Sequence, residues 1–136
     1  MEEKKIQESK DRQARKYNIT LNNPLSMIPP MTHPQIKEEI GKLGSVSYWC
    51  MADEIGLKEQ TPHTHIYLYS ASPIRFSTVK KRFPQGHIES AYGSSAENKD
   101  YILKAGKWKN TSKTETSIAG TFEEYGIMPA KETMSE

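Results

Sequence analysis

Two histidines one residue apart, His63 and His65, stand in the run Pro62-His63-Thr64-His65-Ile66-Tyr67-Leu68-Tyr69. Aromatic and β-branched residues dominate the run, which reads as a strand. Residues two apart on a strand share a face. His63, His65, Tyr67 and Tyr69 therefore line one side, and Thr64, Ile66 and Leu68 the other, where helices would pack. Two neutral imidazoles on a rigid strand can share one divalent cation. Such a site needs a third ligand. Glu54, across the intervening turn, is the natural carboxylate, with Asp53 the neighbouring alternative and Glu59 a weaker one. Two surface histidines on a strand edge fit the same spacing.

A second chemical feature is Tyr101-Ile102-Leu103-Lys104, late in an expected helix. Residues three apart are neighbours on a helix surface, so the Tyr101 hydroxyl and the Lys104 ammonium can face one small volume. A phenol becomes a useful nucleophile when a cation or a base assists it. A core tyrosine beside a solvent-facing lysine has the same spacing. Third is Tyr17-Asn18-Ile19-Thr20-Leu21-Asn22-Asn23, whose uncharged polar side (Asn18, Thr20, Asn22) can read base edges or sugars. Fourth are cations: Arg75, Lys80, Lys81 and Arg82, then Lys99, Lys104, Lys107 and Lys109. With Tyr67 and Tyr69 they could form a groove for single-stranded nucleic acid, with cations for phosphates and rings for stacking.

The elements that must hold these groups follow from pattern. Tyr17, Ile19 and Leu21 alternate with polar residues, the period of a half-buried strand. Thr32 with Gln35, and Pro34 between them, opens a helix carrying Ile36, Ile40 and Leu43, and Gly44 stops it. Val46–Met51 and His63–Ser70 read as strands, and Gly86–Ser90 as a short one. Phe76–Phe83 reads as a basic helix closed by Pro84. Ser94 with Glu97 caps a helix running to about Ala105, with Gly106 beyond it. Interleaved strands and helices predict an α+β fold, an antiparallel sheet with helices packed mainly on one face.

The chain has 136 residues, 35% apolar by composition, with 19 basic and 17 acidic side chains and a net charge of +2. One domain is expected. The charge neither requires nor opposes a nucleic-acid partner. The single cysteine, Cys50, excludes an internal disulfide and any multi-cysteine zinc site. No apolar run reaches a membrane span's length, and the charged N-terminus is unlike a secretion signal, so neither membrane nor export is expected. Residues 1–15 read as a charged arm, 16–109 as the folded domain, and 110–136 as a loosely attached polar tail in which Phe122, Tyr125 and Ile127 dock weakly.

The order of these motifs resembles the HUH endonuclease domain of rolling-circle replication initiators (Rep proteins) of circovirus-like and geminivirus-like viruses and related plasmids. Ile19-Thr20-Leu21-Asn22-Asn23-Pro24 is similar to the first family motif, His63-Thr64-His65 to the second and Tyr101-Ile102-Leu103-Lys104 to the third. Thr61-Pro62-His63, Arg75-Phe76, Gly86-His87-Ile88-Glu89 and Glu97-Asn98-Lys99-Asp100-Tyr101 also look like family sequence, over about residues 15 to 107. The resemblance implies a sheet of about five strands with RRM-like or ferredoxin-like topology. It implies Mg2+ or Mn2+ held by His63, His65 and Glu54, Tyr101 as nucleophile on single-stranded origin DNA in a stem-loop, and Lys104 beside the phosphate. Origin contacts would come from Asn18, Thr20, Asn22, Asn23, Tyr67, Arg75, Lys80 and Lys81. Host replication proteins are implied partners. The compartment would be the cytoplasm for a bacterial plasmid product and the host nucleus for a eukaryotic virus. The helicase loop Gly-x-x-x-x-Gly-Lys-Ser/Thr is absent from the sequence, so this chain should cut and join DNA without unwinding it.

Two other chemistries share some of these residues. Two histidines and a carboxylate also serve non-haem iron oxygenases, which would leave Tyr101 and Lys104 idle. A non-catalytic RRM-like module would use the sheet and tyrosines but not His63 and His65.

Overall fold

A computed structural model describes residues 11–56, 60–104 and 116–130. In chain order its elements are β1 (Gln13–Asn22), a 3-10 turn (Pro24–Ser26), α1 (His33–Gly41), β2 (Val46–Ile55), β3 (Pro62–Arg75), α2 (Phe76–Arg82), β4 (His87–Ser90), α3 (Ser95–Leu103) and β5 (Glu123–Gly126). The strands form one antiparallel sheet in the order β4-β1-β3-β2-β5. This is the expected α+β architecture.

The strand alternation separates two cores. On one face Tyr17, Ile19 and Leu21 of β1, Trp49 and Met51 of β2 and Ile66 and Leu68 of β3 pack against Ile36 and Ile40 of α1 and Val79 of α2. Fully burying one such aliphatic side chain is worth about 1.5–3 kcal/mol. On the opposite face Tyr48, Cys50 and Ala52 of β2 and Tyr67 of β3 pack against Ile102 of α3. So α1 and α2 share one face, while α3 covers part of the other. Capping residues start α1 and α3. The Thr32 hydroxyl accepts from the Gln35 N–H at 3.3 Å. Ser94 and Glu97 exchange side-chain to backbone hydrogen bonds at 3.1 and 3.0 Å. Each cap supplies acceptors for otherwise orphaned donors of the first turn.

Three expectations about the elements change. The charged segment before residue 16 is not all arm, because β1 begins at Gln13, and Ala14 and Lys16 are buried. Lys16 keeps a partner there, donating from Nζ to the Gly93 carbonyl at 2.9 Å. The region expected to be a loose tail supplies β5, which pairs Glu123–Gly126 with Tyr48–Met51 of β2. Ile127 stays exposed, but Tyr125 stacks on Trp49 with ring centroids 6.3 Å apart and partly buried Phe122 packs against the Tyr48–Ile102 cluster, so backbone pairing and the expected weak apolar docking hold this edge together. Gly126 lies at φ 99°, and a Cβ there would collide with the Ser47 carbonyl, so glycine lets the strand approach. Helix α3 ends at Leu103 rather than near Ala105; Ala105 and Gly106 lie outside the described residues.

Candidate active site on the histidine face

Register builds this site. Glu54 of β2 lies opposite His63 of β3, and Ala52 opposite His65. On the other flank Asn22 and Thr20 of β1 lie opposite His63 and His65. Directly opposed residues share a face, so Glu54 is set among the imidazoles. His63 Nε2 is 3.1 Å from Glu54 Oε1, and His65 Nδ1 is 3.3 Å from Glu54 Oε2. The two rings meet edge-on with centroids 5.8 Å apart.

Helix α3 adds the remaining groups. Burial of Ile102 anchors the helix, and Tyr101 packs beside the same cluster with its ring centroid 5.8 Å from that of His65. Lys104, at the helix C-cap, adopts a left-handed conformation with φ 60°. Its ammonium stands 2.8 Å from Glu54 Oε2 and 4.1 Å from the Tyr101 ring centroid. One carboxylate, two imidazoles, an ammonium and a phenol thus converge on one face.

The charges depend on one another. Burial would push the Glu54 carboxyl up, but hydrogen bonds with His63 and His65 and the adjacent Lys104 ammonium outweigh it and hold Glu54 well below the usual carboxylate range. Its contact with Glu54 raises the His63 pKa against the opposing effect of burial. His63 also reaches the Thr61 carbonyl through Nδ1 at 3.3 Å. An acceptor near each nitrogen favours a ring that donates from both. To act as a metal ligand, His63 must release the Nε2 proton.

Glu54, His63 and His65 are donors of a kind that suits a divalent cation. Their polar atoms touch one another directly, however. Among the described residues no group of three His, Cys, Asp or Glu side chains forms a ready-made metal cradle. Asp53, the alternative third ligand, belongs to the opposite face, where it accepts from the Thr64 hydroxyl at 2.7 Å and meets His33 at 2.9 Å. Glu59 lies outside the described residues.

A groove of about 210 Å³ leads to this cluster, lined by Asn18, Thr20, His65, His87, Glu89 and Tyr101. Asn18 donates to the Asn98 side chain at 3.3 Å. Asn22 and Asn23 are exposed at the end of β1. His87 and Glu89 were not among the expected contacts, although their two-residue spacing puts both on one side of β4. Four expected DNA contacts are not brought here. Tyr67 shares the histidine face but is 0% exposed, roofed by α3, and its hydroxyl bonds Ser95 at 2.7 Å, so its ring offers no stacking surface. Arg75 sits at the far end of β3 from the histidines. Lys80 and Lys81 ride on α2, which packs through Val79 against the opposite face. Lys80 donates to the Gly86 carbonyl at 2.8 Å.

No protein-family model matches the chain. The chain is 37% identical over 62 residues to a replication-associated protein of human associated cyclovirus 1, covering 45% of this chain and 22% of the relative. It is 33% identical over 93 residues to a replication-associated protein of beak and feather disease virus, covering 68% of this chain and 29% of the relative. The chain therefore spans less than a third of the length of these curated relatives, and over that span it is similar to replication-associated proteins of the circovirus type.

Proposed function

We propose that this chain nicks and joins single-stranded DNA at a replication origin, as the endonuclease part of a rolling-circle initiator. The observation that supports this most is the approach of Tyr101 to His65, with the Lys104 ammonium over the phenol ring. In the proposed step the Tyr101 oxygen forms a bond to phosphorus, and the bond from phosphorus to the 3′-oxygen breaks. The products are a 5′-phosphotyrosine and a 3′-hydroxyl; the phenol proton leaves to solvent along the groove and the departing oxygen gains one. The ester retains the free energy of the broken bond, so a second 3′-hydroxyl can reverse the step without ATP.

Mg2+ or Mn2+ held by His63, His65 and Glu54 would polarise the phosphate and offset its developing charge. Lys104 contributes positive charge at the same place, and the buried setting strengthens it. Asn18, Thr20, His87 and Glu89 line the approach and are positioned to contact nucleotides flanking the scissile bond. An RRM-like binding module accounts for less, because such sheets stack bases on exposed aromatics and Tyr67 is sealed beneath α3.

The test is incubation with a labelled single-stranded oligonucleotide library and Mn2+, followed by a denaturing gel. A covalent protein–DNA adduct is expected, absent in Tyr101→Phe. Native-gel retardation without an adduct would leave only a binding module.

A further inference from the structure

We propose that the Lys104 ammonium is the buried counter-charge of Glu54, and that a divalent ion binds by taking its place there beside His63 and His65. The inference rests on the metal reading above and concerns how that site is kept and loaded. Glu54 is 5% exposed and the Lys104 side chain 2%. A carboxylate so buried needs a counter-charge, and the ammonium at 2.8 Å supplies it. Lys104 reaches that position from a left-handed backbone at φ 60°, a conformation ordinarily left to glycine or asparagine at helix ends. The lysine thus occupies a costly backbone state in which it seals the site.

A hard cation bonds a carboxylate oxygen at about 2.1 Å. Such an ion on Glu54 would lie within about 4 Å of an ammonium still paired with the same carboxylate, and two cations at that separation repel strongly. The direct contacts of Glu54 with His63, His65 and Lys104 explain why the described residues present no ready cradle. The exchange opens one. It also frees the ammonium beside the Tyr101 ring, 4.1 Å away, where the attacked phosphate would lie. Phosphate-binding charge and metal then become available together.

Two measurements test this. In 15N-lysine protein, the Lys104 ammonium should give a slowly exchanging signal in EDTA that is lost on saturation with Mg2+. Lys104→Met should bind Mn2+ about 5- to 100-fold more tightly by calorimetry. It should also lower the melting temperature in EDTA and much less in saturating Mg2+. A protected ammonium signal that survives in Mg2+, or an equal melting difference with and without metal, would overturn the exchange and leave the metal ligands in place. Absence of Mn2+ binding in both proteins would remove the metal reading along with it. The spectrum uses the wild-type chain, so the test survives poor folding of the variant.

Discussion

Asp53 and Glu54 are neighbours in sequence, yet β2 sends them to opposite faces, where each joins a histidine cluster. On one face a single carboxylate, Glu54, meets His63, His65 and Lys104. On the other a single imidazole, His33, meets two carboxylates: Asp53 at 2.9 Å through Nε2 and Glu123 at 2.6 Å through Nδ1. The same residue types appear in inverse proportion. The Glu54 cluster has basic groups in excess and adjoins a groove containing Tyr101, where the proposed reading places the phosphate. In the His33 cluster two carboxylates face one imidazole, and Lys37, 2.7 Å from Glu123, brings basic and acidic groups to equal number. It links three elements: α1 through His33, β2 through Asp53 and β5 through Glu123. On the proposed reading the Glu54 cluster serves the chemistry, while the His33 cluster joins α1, β2 and β5, and the two meet along one pocket lined by His33, Asp53, Glu54 and His63. Composition alone does not separate them; the ratio of acid to base and the elements joined do.

Substitutions on the two faces should therefore fail in different ways. Of the two histidine clusters, the larger effect on the adduct is expected from His65→Ala, with adduct formation falling about 100- to 1000-fold, as when a group stabilising transition-state charge is lost. Glu54 keeps His63 and Lys104 but loses one of its contacts, so the stability loss should be about 1–3 kcal/mol, and the adduct is scored per folded molecule. His33→Ala should also lower unfolding free energy by about 1–3 kcal/mol, because partly buried carboxylates lose their donor, but should leave adduct yield per folded molecule unchanged. Urea titration and a denaturing gel on the same preparations check both. If His33→Ala abolished the adduct in fully folded protein, the division of labour would collapse.

A smaller, pH-dependent effect sharpens the contrast. Burial opposes protonation of His33, but its hydrogen bonds to Asp53 and Glu123 prevail and raise its pKa above 6.5. Folded His33 therefore holds its proton more tightly than unfolded His33. The clamp's stability is fully present below about pH 6.5 and is lost as pH rises through the raised folded value. Glu123 is depressed below 4.5, first by Lys37 and then by His33, so its share is present above about pH 4.5 and lost in acid. The stability difference between wild type and His33→Gln should thus be greatest between about pH 4.5 and 6.5 and shrink in alkaline solution. A difference independent of pH would mean that packing, not charge, makes the fastening.

The contrast also marks what the sequence could disclose. Period-two alternation placed His63, His65 and Tyr67 on one face, because strand geometry leaves little freedom. Capping residues located α1 and α3 for the same local reason. The burial of Tyr67 was not legible, since it requires α3 to cross to the histidine face, and nothing within Ser95–Leu103 states which face the helix will cover. Lys104 is three residues from Tyr101, which suggests proximity, but its left-handed cap and its pairing with a carboxylate fifty positions away are tertiary facts. The basic residues around α2 are conspicuous in sequence, yet packing of Val79 directs that helix to the other side. Strand β5 was hidden because Glu123–Gly126 is too short and too charged to show a strand period, and its pairing with β2 is a backbone contact that no local pattern announces. His33 and Glu123 are ninety positions apart, and no local pattern joins them.

The weakest expected effect concerns the tie between β5 and α3, the helix that carries Tyr101. Lys99, two residues before Tyr101, meets both oxygens of Glu124 at 3.1 and 3.2 Å. The Tyr48 hydroxyl donates to Glu124 Oε1 at 2.7 Å. Lys99 and Glu124 are 30% and 40% exposed, so their ion pair contributes only about 0.2–1 kcal/mol and is screened by salt. Tyr48 is different. Burial and its contact with Glu124 drive its pKa far up, so it stays a donor and needs that acceptor. Lys99→Ala should cost little, and added salt should erase its difference from the wild type. Glu124→Ala should cost about 1 kcal/mol more, because the buried phenol loses its partner, and that increment should persist in salt. Urea titrations of both variants in low and high salt separate the terms. Equal losses that salt removes entirely would show that β5 holds α3 by charge alone.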